Sequence, residues 1–208
     1  MYKDNKLFQK YLENYYDKYK RKNSLDIDIS ICKKCKDSGL NLITTDSCPG
    51  FGNLMSNVFF IGQSLCEPGT KTQVPFTRNS GDLLDYVFYR AGISKHDIFI
   101  TNVVHCHPPK NRPSKYEEIK NCALYLEEEL AIVEPELIIT LGRNAKNSLE
   151  KLLVHFDKNE FEIKQTSLYH KQVKACWVKH PAFFFHQPNK EQELNWVKRL
   201  QEILSIYL

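Results

Sequence analysis

The sequence predicts a three-layer α/β/α sandwich built on a short four-stranded parallel sheet, and three observations predict it. Four short runs rich in Val, Ile and Phe recur along the chain, segments of helical periodicity lie between them, and each run ends directly in polar or glycine residues. Apolar runs alternating with amphipathic helices give a parallel sheet covered on both faces. Sites in such sheets lie beyond the carboxyl ends of the strands. At 208 residues, 42% apolar and 26% charged, the chain has the size and composition of one domain with a real core. That excludes a disordered or fibrous protein.

The first helix is expected over residues 7–22, where Leu7, Phe8, Tyr11, Leu12 and Tyr15 recur at spacings of three and four. It reads as an appended basic extension, residues 1–30, ahead of a main domain of residues 31–208. Residues 1 to 36 hold ten Lys or Arg against five Asp or Glu, so this stretch carries +5 and the remainder −1. Lys18, Lys20, Arg21 and Lys22, interleaved with tyrosines, suit phosphate tracking, and equally a solvated helix face.

Strands follow at 58–61, 98–101, 137–140 and 175–178. Helices are expected at 81–91, 116–133 and 144–154, with a last one over 191–206. Ser114 with Glu117 forms a capping box for the second of these. The polar stretch 157–174 is expected to be a hairpin or loop. No apolar run reaches the roughly 18–20 residues that span a bilayer. The start, Met1-Tyr2-Lys3-Asp4, lacks the order of a signal peptide. A cytoplasmic monomer with no membrane partner is expected.

Seven cysteines without an export signal point away from a disulfide framework. Cys32 and Cys35 form a C-x-x-C, and Cys106 and Cys122 form a second pair with fifteen residues between them. Together they suit a four-thiolate metal site, and on spacing alone zinc and an iron-sulfur cluster both fit. Buried structural thiols are the plain alternative. Of the others, Cys176 lies in an apolar run and reads as core, whereas Cys66 lies in a loop at the strand tips. Those tips are Gly62-Gln63-Ser64, Asn102, Gly142-Arg143 and His180-Pro181, and a parallel sheet makes them converge.

These residues resemble an iron-sulfur uracil-DNA glycosylase of the family-four type. The resemblance rests on the C-x-x-C; on Phe60-Ile61-Gly62 opening a loop that ends in Pro75-Phe76; on Thr101-Asn102-Val103-Val104-His105-Cys106-His107-Pro108-Pro109 with Asn111-Arg112-Pro113; on Cys122-x-x-Tyr125-Leu126; on Pro135 before Leu141-Gly142; and on His180-Pro181. It implies a [4Fe-4S] cluster held by Cys32, Cys35, Cys106 and Cys122, with zinc the lesser alternative. It implies a DNA partner whose pyrimidine nucleotide is flipped into a pocket. Phe76 would then stack on the base, Asn102 would read its edge, and His180 would hydrogen-bond its O2 as charge develops there. His105, His107 and His186 are lesser alternatives. Lys110, Arg112 and Ser114 would contact DNA, and the run Phe183-Phe184-Phe185 would supply a wedge or a piece of core.

The first loop departs from the family pattern. Gln63 stands where the family has a glutamate, so it can position water but not act as a base. Leu65 and Cys66 replace a Pro-Gly pair beside Ser64. Gly69 falls where an acidic side chain would sit against the pyrimidine C5 edge, and its bareness is expected to open room for a 5-substituted base. The expected activity is monofunctional hydrolysis of the N-glycosidic bond of uracil or a 5-substituted pyrimidine, leaving an abasic site. The alternative is a catalytically silent DNA-binding protein that keeps the fold and cluster.

Overall fold

The computed structural model of the chain describes residues 5–43, 46–152, 156–168 and 171–208. Its strands in chain order are β1 (Phe51–Gly52), β2 (Val58–Ser64), β3 (Phe99–Val104), β4 (Leu137–Leu141), β5 (Lys164–Leu168) and β6 (Lys171–Val178). The helices are α1 (Lys6–Ile31), α2 (Glu67–Thr72), α3 (Ser80–Arg90), α4 (Tyr116–Val133), α5 (Arg143–Leu152), α6 (Phe183–His186) and α7 (Lys190–Tyr207). The sheet order is β1-β3-β2-β4-β6-β5. The four expected strands form its parallel centre.

The sheet therefore has six strands rather than four. Two antiparallel edges were not legible as apolar runs. β1 pairs with β3 through two residues only. β5 is the polar Lys-Gln-Thr-Ser-Leu, mostly exposed, and pairs with β6 over five residues. An edge strand needs no continuous apolar run, because one side of it faces water. The stretch 157–174 does contain one arm of a hairpin, whose tip at residues 169–170 lies outside the described residues.

Side-chain alternation splits the core into two layers. Phe59, Ile61, Ile138 and Trp177 face α4, α5 and the second half of α1. Val58, Phe60, Ile139 and Cys176 face α3 and α7. Cys176 is core, as its apolar run implies. The expected helix end at Val154 lies outside the described residues.

Helix α1 extends nine residues beyond its expected end. Its buried face is Lys18, Lys22, Leu25 and Ile29, at helical spacing. Both lysines are satisfied as they are buried: Lys18 Nζ donates to Val133 O at the end of α4 (2.9 Å), and Lys22 Nζ donates to Gly50 O (2.8 Å) and pairs with Asp26. A cation at a helix carboxyl end complements the exposed carbonyls there. The stripe that suggested the helix is largely on the surface, with Leu7 79% and Tyr11 49% exposed, and Tyr11, Tyr15 and Tyr19 stack in succession along it.

Phe60 is fully buried and meets Phe88 edge-on with ring centroids 5.5 Å apart. Phe60→Ala is expected to destabilise the protein by about 3–5 kcal/mol, read as a lowered urea midpoint with an unchanged m-value.

Candidate active site

The carboxyl tips of β2, β3, β4 and β6 converge as the parallel register requires. Gly62 lies directly opposite Asn102 in the β2–β3 ladder. A Cβ built at Gly62 would overlap Asn102 Oδ1 and would stand 2.5 Å from two atoms of the Phe76 ring. The three residues thus share one small space that only glycine leaves open. His180 closes the group: its ring centroid lies 5.7 Å from that of Phe76. Its Cβ would lie 3.0 Å from a Cβ placed on Gly142, which itself adopts a φ of 92°.

Phe76 is held by its backbone. It has a φ of 56°, and Gln73, Arg78 and Asn79 beside it are also left-handed. Non-glycine residues in this region carry strain of order 1–3 kcal/mol unless their surroundings over-determine them. Here Lys95 Nζ donates to the Phe76 carbonyl (2.6 Å) and pairs with Asp85 (2.9 Å). Gly81 has no Cβ to collide with that carbonyl. The ring itself is buried.

Asn102 is only 2% exposed, and its Oδ1 has no hydrogen-bond partner. An unpaired buried carbonyl oxygen is costly, on the order of 1–3 kcal/mol, and marks a position built for something else. His180 is also largely shielded, and burial pushes its pKa down to about 4, so the imidazole is neutral. The backbone N–H of Ala182 donates to its Nδ1 at 3.2 Å. An accepting Nδ1 leaves the proton on Nε2, which is therefore a donor.

Other expected site residues are placed differently. Gln63 points to the opposite face of β2 from Gly62: Ser148 Oγ of α5 donates to its Oε1 at 3.5 Å. It lines a cavity of about 190 Å³ with Ser114, Asn144, Asn147 and Ser148. Ser64, the last residue of β2, is half-buried on the Gly62 side. Cys66 caps α2 at its start, its Sγ 3.8 Å from Thr77 O.

Two expectations need correction. Gly69 opens no room, because a Cβ there would lie 2.6 Å from Leu65 Cδ1 and 3.2 Å from Val74 O. Leu65, itself buried, already fills the space. Arg112 is not a free phosphate ligand: its guanidinium makes a bidentate pair with Glu118 (2.6 and 3.0 Å) and also donates to Ser38 O (3.1 Å). The pair holds the Glu118 carboxyl below its ordinary range, although burial alone would raise it.

Glu118 further accepts from Lys115 N at 2.8 Å, so the cap of α4 sits one residue later than the Ser114–Glu117 box. Ser114 Oγ is buried and unpartnered beside Gln63. Lys110 is exposed, with a φ of 57°. In the phenylalanine run, Phe184 is core against Trp196 while Phe185 is 56% exposed.

The four paired cysteines gather at one end of α1 and α4. Cys32 ends α1, Cys35 opens the turn after it, Cys106 follows β3, and Cys122 lies on the first turns of α4. Burial pushes the Cys106 thiol up strongly, and Cys122, Cys32 and Cys35 all push the same way, so the four sulfurs share one electrostatic neighbourhood. All seven cysteines are free thiols. Among the described residues no three Cys, His, Asp or Glu side chains close on a single ion.

Behind this group is a pair that sequence reasoning missed. His105 Nε2 lies 3.1 Å from Glu129 Oε2, both fully buried, and Glu129 Oε1 accepts from Gly50 N at 2.6 Å. Burial opposes charge on His105, but Glu129 outweighs it and the pKa rises to about 10. Glu129 lies among charged neighbours in the sequence of α4, where nothing distinguishes a buried glutamate from a solvated one.

The strand tips of this α/β/α protein bring together an unpaired amide, an aromatic ring and a neutral histidine. Residues 49–204 match the model of the uracil DNA glycosylase superfamily. The type-4 uracil-DNA glycosylase of Archaeoglobus fulgidus is 30% identical over 173 residues, covering 80% of this chain and 84% of the relative. That of Pyrobaculum aerophilum is 30% identical over 162 residues, covering 76% and 83%. That of Thermotoga maritima is 35% identical over 127 residues, covering 61% and 66%. The chain belongs to the uracil-DNA glycosylase superfamily, on its type-4 branch.

Two substitutions test this geometry. Gly62→Ala is expected to abolish base excision with little loss of DNA affinity, measured by alkaline strand cleavage beside a binding titration. Arg112→Ala is expected to lower the denaturation midpoint while leaving the salt dependence of DNA binding unchanged. An equal loss of salt slope in Arg112→Ala and Lys110→Ala would restore Arg112 as a phosphate ligand.

Proposed function

We propose that this protein is a monofunctional uracil-DNA glycosylase that hydrolyses the N-glycosidic bond of a flipped uracil nucleotide and leaves an abasic site. The observation that carries the reading is the buried, unpartnered Asn102 Oδ1 beside the Phe76 ring and a neutral His180. Uracil answers each group. Its N3–H satisfies Asn102 Oδ1, its O4 accepts from the same amide's NH₂, and its ring stacks on Phe76. Such stacking is worth about 1–3 kcal/mol per base.

As the bond from the sugar carbon to N1 breaks, its electron pair moves onto the base and negative charge accumulates on O2. His180 Nε2–H donates to that oxygen. Water then adds to the sugar carbon and loses its proton. Gln63 is a neutral amide turned to the opposite face of β2 and does not serve as a base, which suits a route in which bond cleavage precedes attack. Because Leu65 occupies the space at Gly69, plain uracil fits the site better than a 5-substituted pyrimidine. Lys110, exposed on its loop, would hold a phosphate, whereas the Ser114 hydroxyl is buried beside Gln63 and out of a phosphate's reach. The exposed basic part of residues 1–30 would extend that surface.

The four clustered thiols fit a [4Fe-4S] cluster held by Cys32, Cys35, Cys106 and Cys122. Four thiolates accept either zinc or an iron-sulfur centre, and the resemblance of the C-x-x-C, Cys106 and Cys122 pattern to the family favours the cluster. Bound there, the cluster would cross-link α1, α4 and the segment after β3. Among the described residues no helix is long and apolar enough to cross a membrane.

Alkaline cleavage of labelled oligonucleotides carrying one uracil, 5-hydroxymethyluracil or thymine tests the reading. Uracil excision is expected, reduced roughly 10²–10³-fold in His180→Ala and also lost in Asn102→Ala. Tight DNA binding with all three strands intact would instead identify a silent module, and excision of 5-hydroxymethyluracil without uracil would overturn the base assignment.

His180 also predicts a pH dependence of stability. Its folded pKa of about 4 lies below the ordinary histidine value of about 6.5, so the unfolded chain binds the proton first as pH falls. Stability is therefore lost between about pH 6.5 and 4, by an amount on the order of 3 kcal/mol. His180→Asn is expected to lack this component in urea titrations across that range.

A further inference from the structure

His180 follows directly on a stretch of chain that the sheet ladders leave behind. The β4–β6 register ends at Leu141 opposite Val178, and β5 covers the other edge of β6 only as far as Ala175. Past that point the edge is met by the segment 157–161. Phe161 N–H donates to Trp177 O (2.9 Å), and the Trp177 indole N–H donates to Asp157 O (3.1 Å). Phe161 is buried with a φ of 67°, and the Arg199 guanidinium lies 4.4 Å from its ring centroid. A left-handed phenylalanine is uncommon and persists where its surroundings over-determine it.

At the next residue the pairing passes from backbone to side chain. Glu160 Oε1 accepts from the backbone N–H of Lys179, and Glu160 Oε2 accepts from Lys179 Nζ, both at 2.6 Å. The carboxyl is 16% exposed. An exposed ion pair alone contributes little, whereas a shielded carboxylate that also takes a backbone N–H fixes the course of the chain. On the other side of His180, Phe183 N–H donates to the His180 carbonyl (2.9 Å), and the Lys179 ammonium stands 5.3 Å from the centre of the Phe183 ring. The imidazole must present Nε2 to a base seated on Phe76, and a misplacement of about 1 Å in such a geometry can cost on the order of 10²-fold in rate.

We propose that Glu160 is a positioning residue for base excision: its carboxylate replaces the strand partner that Lys179 lacks and thereby sets the place of the His180 imidazole against Phe76. Glu160 acts at one remove from the base, through Lys179. The Lys179 ammonium braces the same turn between Glu160 and Phe183. The inference rests on His180 as the donor to the base.

The test is single-turnover excision of uracil from a labelled duplex with enzyme in saturating excess, which separates the chemical step from binding, on variants whose urea midpoints show them folded. Glu160→Ala and Glu160→Ser, both too short to reach Lys179, are expected to lower the rate constant roughly 10–100-fold. Serine is included as a polar side chain that the half-buried site accepts. Glu160→Gln, which keeps an oxygen for the Lys179 N–H, is expected to recover most of the rate. In the His180→Ala background neither short variant is expected to cost anything further, because the side chain they place is gone. Wild-type rates in the short variants, or the same loss added on top of His180→Ala, would overturn the positioning role and leave the His180 reading intact. His180→Ala at the wild-type rate would overturn that reading, and the inference with it.

Discussion

A carbonyl oxygen removed from water and left without a donor is unfavourable, and Asn102 Oδ1 bears that cost at the meeting point of the strand tips. Much of the surrounding structure maintains it. The β2–β3 register sets Asn102 opposite a residue with no side chain. Phe76 comes over the same spot only because its backbone enters the left-handed region, and Lys95 and Gly81 fix its carbonyl there. His180 is brought in by the end of β6 and fits against Gly142 for want of a Cβ. Relaxing any one of these would let a side chain or water satisfy the amide.

The parallel centre of the sheet was legible because buried strands must be apolar, and its four runs are the most apolar short stretches of the chain. Asn102 and His180 stood out as polar residues at the tips of apolar runs, whereas Phe76, twelve residues beyond the end of β2, was singled out only through the family resemblance. The edge strands were not legible, since Lys164–Leu168 has the composition of a loop. The extent of α1 was hidden because half its buried face is lysine, and a buried lysine is recognisable only once its carbonyl partners are known. Gly69 and Arg112 misled for a common cause. Sequence shows which side chain is missing or charged, but not that Leu65 moves into the gap or that Glu118 takes up the charge.

Arg112 joins the loop that carries Lys110 to the cysteine end of the molecule. Its guanidinium joins Glu118 on the first turn of α4 to the carbonyl of Ser38, in the turn that follows Cys35. The same arginine thus fixes the loop that carries Lys110 and Ser114, the start of the helix that carries Cys122, and the segment that carries the C-x-x-C. Loss of the pair would leave the buried Glu118 carboxylate uncompensated, which costs more than the pair contributes when intact.

That linkage bears on why a hydrolytic site would retain four thiolates that touch neither the base nor the sugar. Cys32 and Cys35 lie where a long helix ends and an irregular segment begins, and the described strands nearest them are short. Ile29 and Leu40 are buried there in one hydrophobic cluster with Cys106 and Cys122. A cluster held by the four cysteines, as proposed, would tie these parts together and hold the loop at Lys110 relative to Asn102. The accuracy of a glycosylase depends on that separation, because a flipped nucleotide spans it with few torsions to absorb an error.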